Sequence, residues 1–313
     1  MKIPTLLALV LCIGSSAFAQ SPATLGAIGY TAPGFPTSVA PGQVVTLFFY
    51  GVPTLSDGQL RSAQAASVPL PDSLAGLSVH VAQQPLSFPI FSVQQSNDCV
   101  NEDATNPACL LTSVRVQVPN ELLQTTELIL VVDGLTSRGF AIQPIADNAH
   151  VVTSCDVSGD LKYTTSCSRL IFHADGSPVS EASPAKRGET VIVYAFGLGL
   201  TSPRVPNGEA APAGAVFQDR AGQPRVRARF LSSLSTTLSA FPRGFSQEDA
   251  DDLGSPITFA GLAPGQVGLY QLNIPIPQSL QVQAQCGKAV LGNASLHITT
   301  SQGTESIAFC LQP

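Results

Sequence analysis

Pro41-Gly42-Gln43-Val44-Val45-Thr46-Leu47-Phe48-Phe49-Tyr50-Gly51 is the most informative stretch of the chain, because a related copy of it occurs later in the sequence. It returns as Lys186-Arg187-Gly188-Glu189-Thr190-Val191-Ile192-Val193-Tyr194-Ala195-Phe196-Gly197, with two glycines nine positions apart in each copy. A later run, Val114-Arg115-Val116-Gln117-Val118-Pro119, is echoed by Leu272-Asn273-Ile274-Pro275-Ile276-Pro277. Repetition at a period of about 150 residues predicts two tandem domains, because the units of solenoid proteins are about 20–50 residues long.

The repeated stretch reads as a strand that is buried on both sides. In the first copy both alternate sets of side chains, 45/47/49 and 44/48/50, are largely apolar. We therefore expect each strand to meet its own core on one face and a neighbouring module or loop on the other. The 26 glycines and 25 prolines favour sheets joined by tight turns, and helix-length amphipathic patterns are scarce. The sequence predicts an all-β chain.

The first 19 residues have the layout of a secretory signal peptide. Lys2 precedes an apolar run, and Ala17-Phe18-Ala19 ends it with small residues, so we expect cleavage before Gln20. No other stretch approaches the roughly 18 apolar residues that span a bilayer, so no transmembrane segment is predicted. The predicted organisation is a signal peptide at 1–19, a first module at 20–150 and a second at 151–313. Residues 151–171 are either a linker hairpin or the opening strands of the second module.

The cysteines agree with export to an oxidising compartment. Apart from Cys12 in the leader, six remain in sequence-close couples: Cys99 with Cys109, Cys155 with Cys167, and Cys286 with Cys310. Six cysteines permit 15 pairings, and we expect the local one. Disulfide bonds are favoured over metal ligation, because export favours oxidation and no couple has the spacing of a zinc site.

The sequence contains no recognisable hydrolase or metal-binding motif, so no catalytic, cofactor-binding or metal-binding residue is predicted. No Gly-x-Ser-x-Gly motif occurs, and no two of the four histidines are two or four positions apart. The acidic run at 248–252 could supply oxygen ligands to calcium, but it lacks the residue order of a calcium-binding loop. It either binds calcium or is a solvated loop. Removing Lys2 with the leader changes the net charge from −6 to −7, which makes nucleic acid an unfavourable partner.

The chain resembles a family known mostly from acidobacteria: secreted, functionally uncharacterised proteins with two immunoglobulin-like (IPT/TIG-like) halves. The stretches that carry the resemblance are Ala40-Pro41-Gly42-Gln43-Val44-Val45, Pro71-Asp72-Ser73-Leu74-Ala75-Gly76-Leu77-Ser78-Val79, Lys186-Arg187-Gly188-Glu189 leading into Phe196-Gly197-Leu198-Gly199-Leu200, and Gly261-Leu262-Ala263-Pro264-Gly265-Gln266-Val267-Gly268-Leu269-Tyr270-Gln271-Leu272-Asn273-Ile274-Pro275-Ile276-Pro277. The resemblance implies two tandem immunoglobulin-like β-sandwich modules and export, and it carries no catalytic residues.

We therefore expect a secreted, periplasmic or cell-surface protein without enzymatic activity. Its predicted role is binding, adhesion or structure, with an unknown protein or a surface glycan as partner. The loops at 94–108 and 232–255 are the predicted contact surfaces, because loops at the ends of sandwiches carry recognition. Two alternatives stay open: a secreted hydrolase with two carboxylates between the modules, and an accessory carbohydrate-binding module.

Overall fold

The computed structural model describes residues 21–30, 33–34, 38–99, 106–158, 167–217, 226–235, 254–282, 284–287 and 290–313. The predicted signal peptide at 1–19 and the acidic run at 248–252 lie outside these residues, so both stay predictions.

Strands account for nearly all regular structure in the described residues. In the first half they are β1 (Thr24–Gly29), β2 (Pro33–Gly34), β3 (Ser38–Val39), β4 (Val44–Tyr50), β5 (Ser62–Gln64), β6 (Ser73–Leu74), β7 (Leu77–Val81), β8 (Ile90–Asn97), β9 (Leu110–Gln117), β10 (Thr126–Val132), β11 (Leu135–Thr136) and β12 (Phe140–Pro144), with a 3₁₀ turn at Pro107–Cys109. In the second half they are β13 (His150–Val151), β14 (Thr190–Phe196), β15 (Thr201–Ser202), β16 (Val216–Phe217), β17 (Arg227–Ser235), β18 (Phe259–Leu262), β19 (Tyr270–Pro275), β20 (Gly292–Thr299) and β21 (Thr304–Phe309), with a short helix α1 (Ser154–Ser158) after β13.

The strands form two pairs of sheets. The first-half sheets have the orders β2-β1-β4-β9-β8-β5 and β3-β12-β10-β7-β6, and β11 adds to the second through β10. The second-half sheets have the orders β13-β14-β19-β18-β16-β15 and β17-β20-β21. Each pair encloses its own apolar core, so the chain consists of two immunoglobulin-like β-sandwiches, as predicted. Strand β13, at the start of the 151–171 segment, pairs with β14 of the second sandwich, and Thr153 forms an antiparallel bridge with Arg169 within the segment. The module boundary at residue 150 stays a prediction.

The repeated strands occupy equivalent places with the same register. Strand β4 lies between β1 and β9, and β14 lies between β13 and β19. Val44 is opposite Gln117 in the first sandwich, and its counterpart Thr190 is opposite Pro275 in the second. These are the same positions of the two echoed runs, so the duplication extends to individual residue pairs.

The turns that enter the repeated strands are equivalent as well. The Gly42 amide donates to the Val118 carbonyl at 3.0 Å, and the Gly188 amide donates to the Ile276 carbonyl at 3.0 Å. Both glycines have a φ of 77°, a conformation that glycine adopts without the steric cost of a side chain. The repeat therefore conserves a turn geometry in addition to an apolar pattern.

On its second face, each repeated strand meets the other sandwich at one end, in agreement with the prediction from two-sided apolarity. Val44 from β4 and Phe196 from β14 are both buried in one small apolar cluster, together with Val152. Partly buried Tyr30 and Phe91 of the first sandwich pack against it. The two modules therefore share an apolar contact that neither sandwich core includes.

A fully buried arginine anchors the end of β8. The Arg61 side chain donates hydrogen bonds to the carbonyls of Pro53 and Ala75 at 2.8 and 2.6 Å, and it also pairs with the Asp133 carboxylate. Its backbone exchanges two hydrogen bonds with Gln95, one to the side chain and one to the amide. Because buried polar groups are costly unless paired, this network fixes the loop that precedes β5 against β8.

Candidate functional site

Polar contacts at the module boundary centre on Tyr30, which is partly buried. The Tyr30 ring stacks on the His150 ring with centroids 3.5 Å apart and planes within 10°. Its hydroxyl accepts a hydrogen bond from the Gln43 amide and donates to the Asn148 carbonyl at 3.4 Å. The Asn148 side chain donates back to the Ser38 carbonyl at 3.1 Å. Burial raises the pKa of Tyr30 far above its usual range, so the hydroxyl keeps the proton that it donates.

A second polar patch holds the other side of the boundary. The Asn120 amide and side chain both donate to the Asn207 side-chain oxygen at 2.9 Å, and the side chain also donates to the Val205 carbonyl at 2.8 Å. The Gly208 amide donates to the Gln117 side chain at 2.6 Å. Two separated sets of hydrogen bonds flank the shared apolar cluster, so the sandwiches are held in one orientation.

Between these contacts lies a depression that we call the inter-module groove. Its floor consists of polar side chains on the outer face of the first sheet: Thr46, Ser92, Gln94, Ser113 and, at the centre, Arg115. Its walls are Tyr30, Phe196 and Asp156. The groove is open to solvent on one side and has a volume of about 90 Å³. Such a space is large enough for several water molecules or one small polar group.

Strand register places the floor residues side by side. Thr46 of β4 is opposite Arg115 of β9, and Arg115 is opposite Ser92 of β8, so these three residues form one row across the sheet. Ser113 and Gln94 form part of the next row on the same face. Facing pairs in a sheet point to the same side, so the floor is a flat array of hydroxyl and amide groups around one cation.

The guanidinium of Arg115 lies between two aromatic rings. Its central carbon is 5.5 Å from the centre of the Phe91 ring and 5.6 Å from that of Phe196. Both distances fall in the range of cation–π contacts. The pairing of β8 with β9 has a register shift between Ile90 and Ser92, so Phe91 has no directly paired residue in β9 and lies next to Arg115. The cation is therefore held by ring faces from both sandwiches.

Within the described residues, the guanidinium of Arg115 makes no hydrogen bond. Burial lowers the pKa of Arg115, and the nearby charge of Asp156 opposes that effect. Arg115 thus presents a partly desolvated cation, with its N–H groups available, to the space of the groove.

Asp156 is oriented by two residues that precede α1, Thr153 and His150, rather than by Arg115. One of its carboxylate oxygens accepts hydrogen bonds of 2.8 Å from the Thr153 amide, the Thr153 hydroxyl and His150 Nε2. The Thr153 hydroxyl also accepts from the Asp156 amide at 3.3 Å, which completes a reciprocal cap at the start of α1. The adjacent Cys155 is joined to Cys167, which ties α1 to a later part of the chain. The wall of the groove therefore carries a fixed negative charge.

The predicted disulfide candidates are joined in the sequence-close couples. Bonds link Cys99 to Cys109, Cys155 to Cys167 and Cys286 to Cys310. The first bond closes the loop that follows β8, and the third ties the end of β21 to the segment before β20. Only the second bond is near the groove.

The predicted contact loops were placed wrongly at their N-terminal ends. Residues 94–97 belong to β8 rather than to a loop, because Gln95 is buried and bonds the Val52 carbonyl and Thr112. Residues 232–235 belong to β17, which pairs with β20 as far as Ser235. Most of the remainder of both loops, at 100–105 and 236–253, lies outside the described residues.

The histidines have separate local partners. His80 contacts the hydroxyls of Ser78 and Ser87, and His297 contacts Ser295. Burial lowers the pKa of His297, and the charge of Arg229 lowers it further.

His173 lies at the surface of the second sandwich and pairs with Glu189. Burial opposes protonation of His173, but its hydrogen bond to Glu189 and another to the Ser183 carbonyl outweigh that effect, so its pKa is raised. Among the described residues, no group of three His, Cys, Asp or Glu side chains is arranged to hold a metal ion.

Sequence reasoning did not identify Arg115, Phe91 or Phe196 as site residues. One signal was present, because Arg115 and Gln117 are polar positions in a run whose alternate positions are apolar. That pattern indicates a strand with one polar face, but it does not show that the second sandwich covers part of this face.

No protein-family model and no curated protein matches the chain. Among solved structures, it is similar to the adhesin InvE of Yersinia pseudotuberculosis, with 11% identity, a TM-score of 0.18 and coverage of 92% of this chain and 58% of that chain. A second match is the surface layer protein SbsC, domains 4–9, with 10% identity, a TM-score of 0.23 and coverage of 93% and 32%. Bovine butyrophilin matches with 8% identity, a TM-score of 0.20 and coverage of 93% and 100%. Matches with TM-scores this low identify neither a family nor a function.

Proposed function

We propose that the mature chain is an exported, non-enzymatic binding module and that its ligand binds in the inter-module groove. In this proposal residues 1–19 are the signal peptide, and the two sandwiches correspond to residues 20–150 and 151–313. The protein acts outside the cytoplasm, in the periplasm, at the cell surface or in the medium.

The main observation behind the proposal is that Arg115 is held in place without a hydrogen-bond partner among the described residues. Its guanidinium is fixed between the rings of Phe91 and Phe196, yet it has no hydrogen-bond acceptor among the described residues. The side chain is partly exposed, so its N–H groups are accessible from the groove. A positioned cation with available donors in an open groove is the arrangement of a site that receives a ligand.

The groove does not supply the pair of acidic groups that the hydrolase alternative requires. Of the described residues that line it, Asp156 is the one carboxylate, and one of its oxygens already accepts three hydrogen bonds. Hydrolysis of a glycosidic bond ordinarily needs a general acid and a second carboxylate on the opposite side of the bond. The groove residues therefore favour binding over cleavage.

Three disulfide bonds support export, because such bonds persist in oxidising compartments. None of the helices in the described ranges has the length and apolar character to cross a bilayer. The sequence resemblance leads us to propose further that the chain belongs to the acidobacterial IPT/TIG-like family.

The proposal is tested by blocking the groove. Gln94 is exposed on its floor, so Gln94→Trp fills the space without removing a buried contact. Gln84 is exposed in the turn after β7, so Gln84→Trp is the matched control. The mature protein and both variants are applied to an array of neutral glycans, acidic glycans and peptides. We expect signals that Gln94→Trp abolishes and Gln84→Trp retains. Signals that survive Gln94→Trp unchanged would place the binding surface elsewhere.

A further inference from the structure

The chemistry of the groove identifies the class of ligand. We infer that it binds an acidic polysaccharide, with the carboxylate of a uronic acid residue on Arg115 and sugar hydroxyls on the surrounding floor. This inference rests on the proposed function of the groove.

Arg115 is suited to a carboxylate. A guanidinium presents its N–H groups in a planar fork that matches the two oxygens of a carboxylate, and such charge-assisted pairs are among the strong hydrogen bonds. The rings of Phe91 and Phe196 hold the guanidinium while leaving its N–H groups without a protein acceptor in the described residues. A ligand carboxylate would therefore meet an oriented cation and displace no internal partner.

The floor is suited to sugar hydroxyls. Ser92 and Gln94 supply an accessible hydroxyl and amide, and Thr46 and Ser113 add hydroxyls that are nearly buried, so the floor beside Arg115 both donates and accepts hydrogen bonds. The Ser113 hydroxyl donates to the Gln94 carbonyl at 3.0 Å and can still accept from a ligand. A sugar ring likewise carries several groups that both donate and accept.

The position of the groove disfavours an extended acidic peptide. Peptides commonly bind to sheets by adding a strand at a free edge. The groove floor is instead formed by β4, β9 and β8, and each of these strands has a hydrogen-bonded neighbour on both sides. Their backbone groups are used within the sheet, so recognition here depends on side chains alone.

Asp156 sets the direction in which the ligand lies. Its fixed negative charge at the wall repels a second carboxylate. The ligand therefore places its charged group at the centre of the floor and neutral hydroxyls toward α1. The mature chain has a net charge of −7 by the sequence count, so polyanions are repelled in general and binding depends on this site.

The test uses polygalacturonate and its methyl-esterified form, which share one backbone and differ in charge. Their dissociation constants are measured by calorimetry with the mature protein, Arg115→Gln, Arg115→Lys and the control Arg138→Gln, an exposed arginine just after β11. We expect the mature protein to bind polygalacturonate and not to bind the methyl-esterified polymer. Arg115→Gln should weaken it by at least about tenfold, which corresponds to about 1.4 kcal/mol. The dissociation constant of Arg115→Lys should lie between those of Arg115→Gln and the unmodified protein, and Arg138→Gln should bind as the unmodified protein does.

Three results would overturn the inference. One is no binding of polygalacturonate by the unmodified protein. The second is equal binding of the esterified polymer, an outcome that needs no variant and so holds even if Arg115→Gln fails to fold. The third is equally tight, Arg115-dependent binding of poly-glutamate, which would assign the groove to acidic peptides. Each leaves the proposed function to be judged by the Gln94→Trp comparison, because that array includes neutral glycans and peptides.

Discussion

Replacing Arg61 by methionine should destabilise the first sandwich by about 3–5 kcal/mol. The side chain is fully buried, and its loss leaves the carbonyls of Pro53, Thr54 and Ala75 without their donor. Each of the three carbonyls that loses its charged donor costs about 1 kcal/mol or more, which together gives about 3–5 kcal/mol. Because Asp133 has 55% of its side chain exposed, water rehydrates it, so we do not add a separate cost for that carboxylate.

The matched variant is Asp133→Asn, which keeps an acceptor oxygen near Arg61 and leaves the hydrogen bonds to the carbonyls in place. We expect it to cost only about 1 kcal/mol, as a half-exposed ion pair should. The assay is urea denaturation at pH 7 with the disulfides intact, followed by far-UV circular dichroism because the chain has no Trp. Urea is chosen because it does not screen charges. A loss below about 1 kcal/mol for Arg61→Met, or equal losses for both variants, would refute the role given to the carbonyl hydrogen bonds.

Two further perturbations follow from the structure. The lowered pKa of His297 means that the unfolded chain binds the proton more tightly, so stability should fall as the pH drops below about 6.5, and His297→Gln should reduce that fall in thermal unfolding between pH 7 and 5. The raised pKa of His173 has the opposite sign: its contribution is complete below about pH 6.5 and is lost at higher pH, so His173→Gln should flatten the profile between pH 6.5 and 8. Equal pH profiles for these variants and the unmodified protein would contradict both assignments. Gly51→Ala and Gly197→Ala should each destabilise by more than Gly58→Ala, because a Cβ would lie 2.8 and 2.3 Å from a backbone oxygen at the first two positions and would contact nothing within 4 Å at the third. All three glycines have positive φ, so equal melting temperatures would remove the close approach as the cause.

Much of the fold was predictable because it depends on patterns that lie close together in the sequence. The two copies of the repeat predicted β4 and β14, and their two-sided apolarity predicted a covering on both faces. The three couples of cysteines that are close in sequence coincide with the bonds in the structure. In each of these cases a short segment carries the signal.

The groove was not predictable because it is made by contacts between distant segments. Arg115 comes from β9, and the rings beside it come from the start of β8 and the end of β14. Nothing in the local sequence of any of the three shows that they meet. Arg61 was missed for the same reason, since its partners lie 8, 14 and 72 positions away in the chain.

The most direct test of the account is to observe Arg115 while a ligand binds. The Nε–H signals of the arginine side chains are recorded by ¹H–¹⁵N NMR as a short oligogalacturonate is added, and Arg115→Lys identifies the signal. We expect the Arg115 signal to move in a saturable manner while the signal of the exposed Arg138 stays unchanged. An unchanged Arg115 signal, with shifts confined to backbone amides of the loop that follows β8, would contradict it.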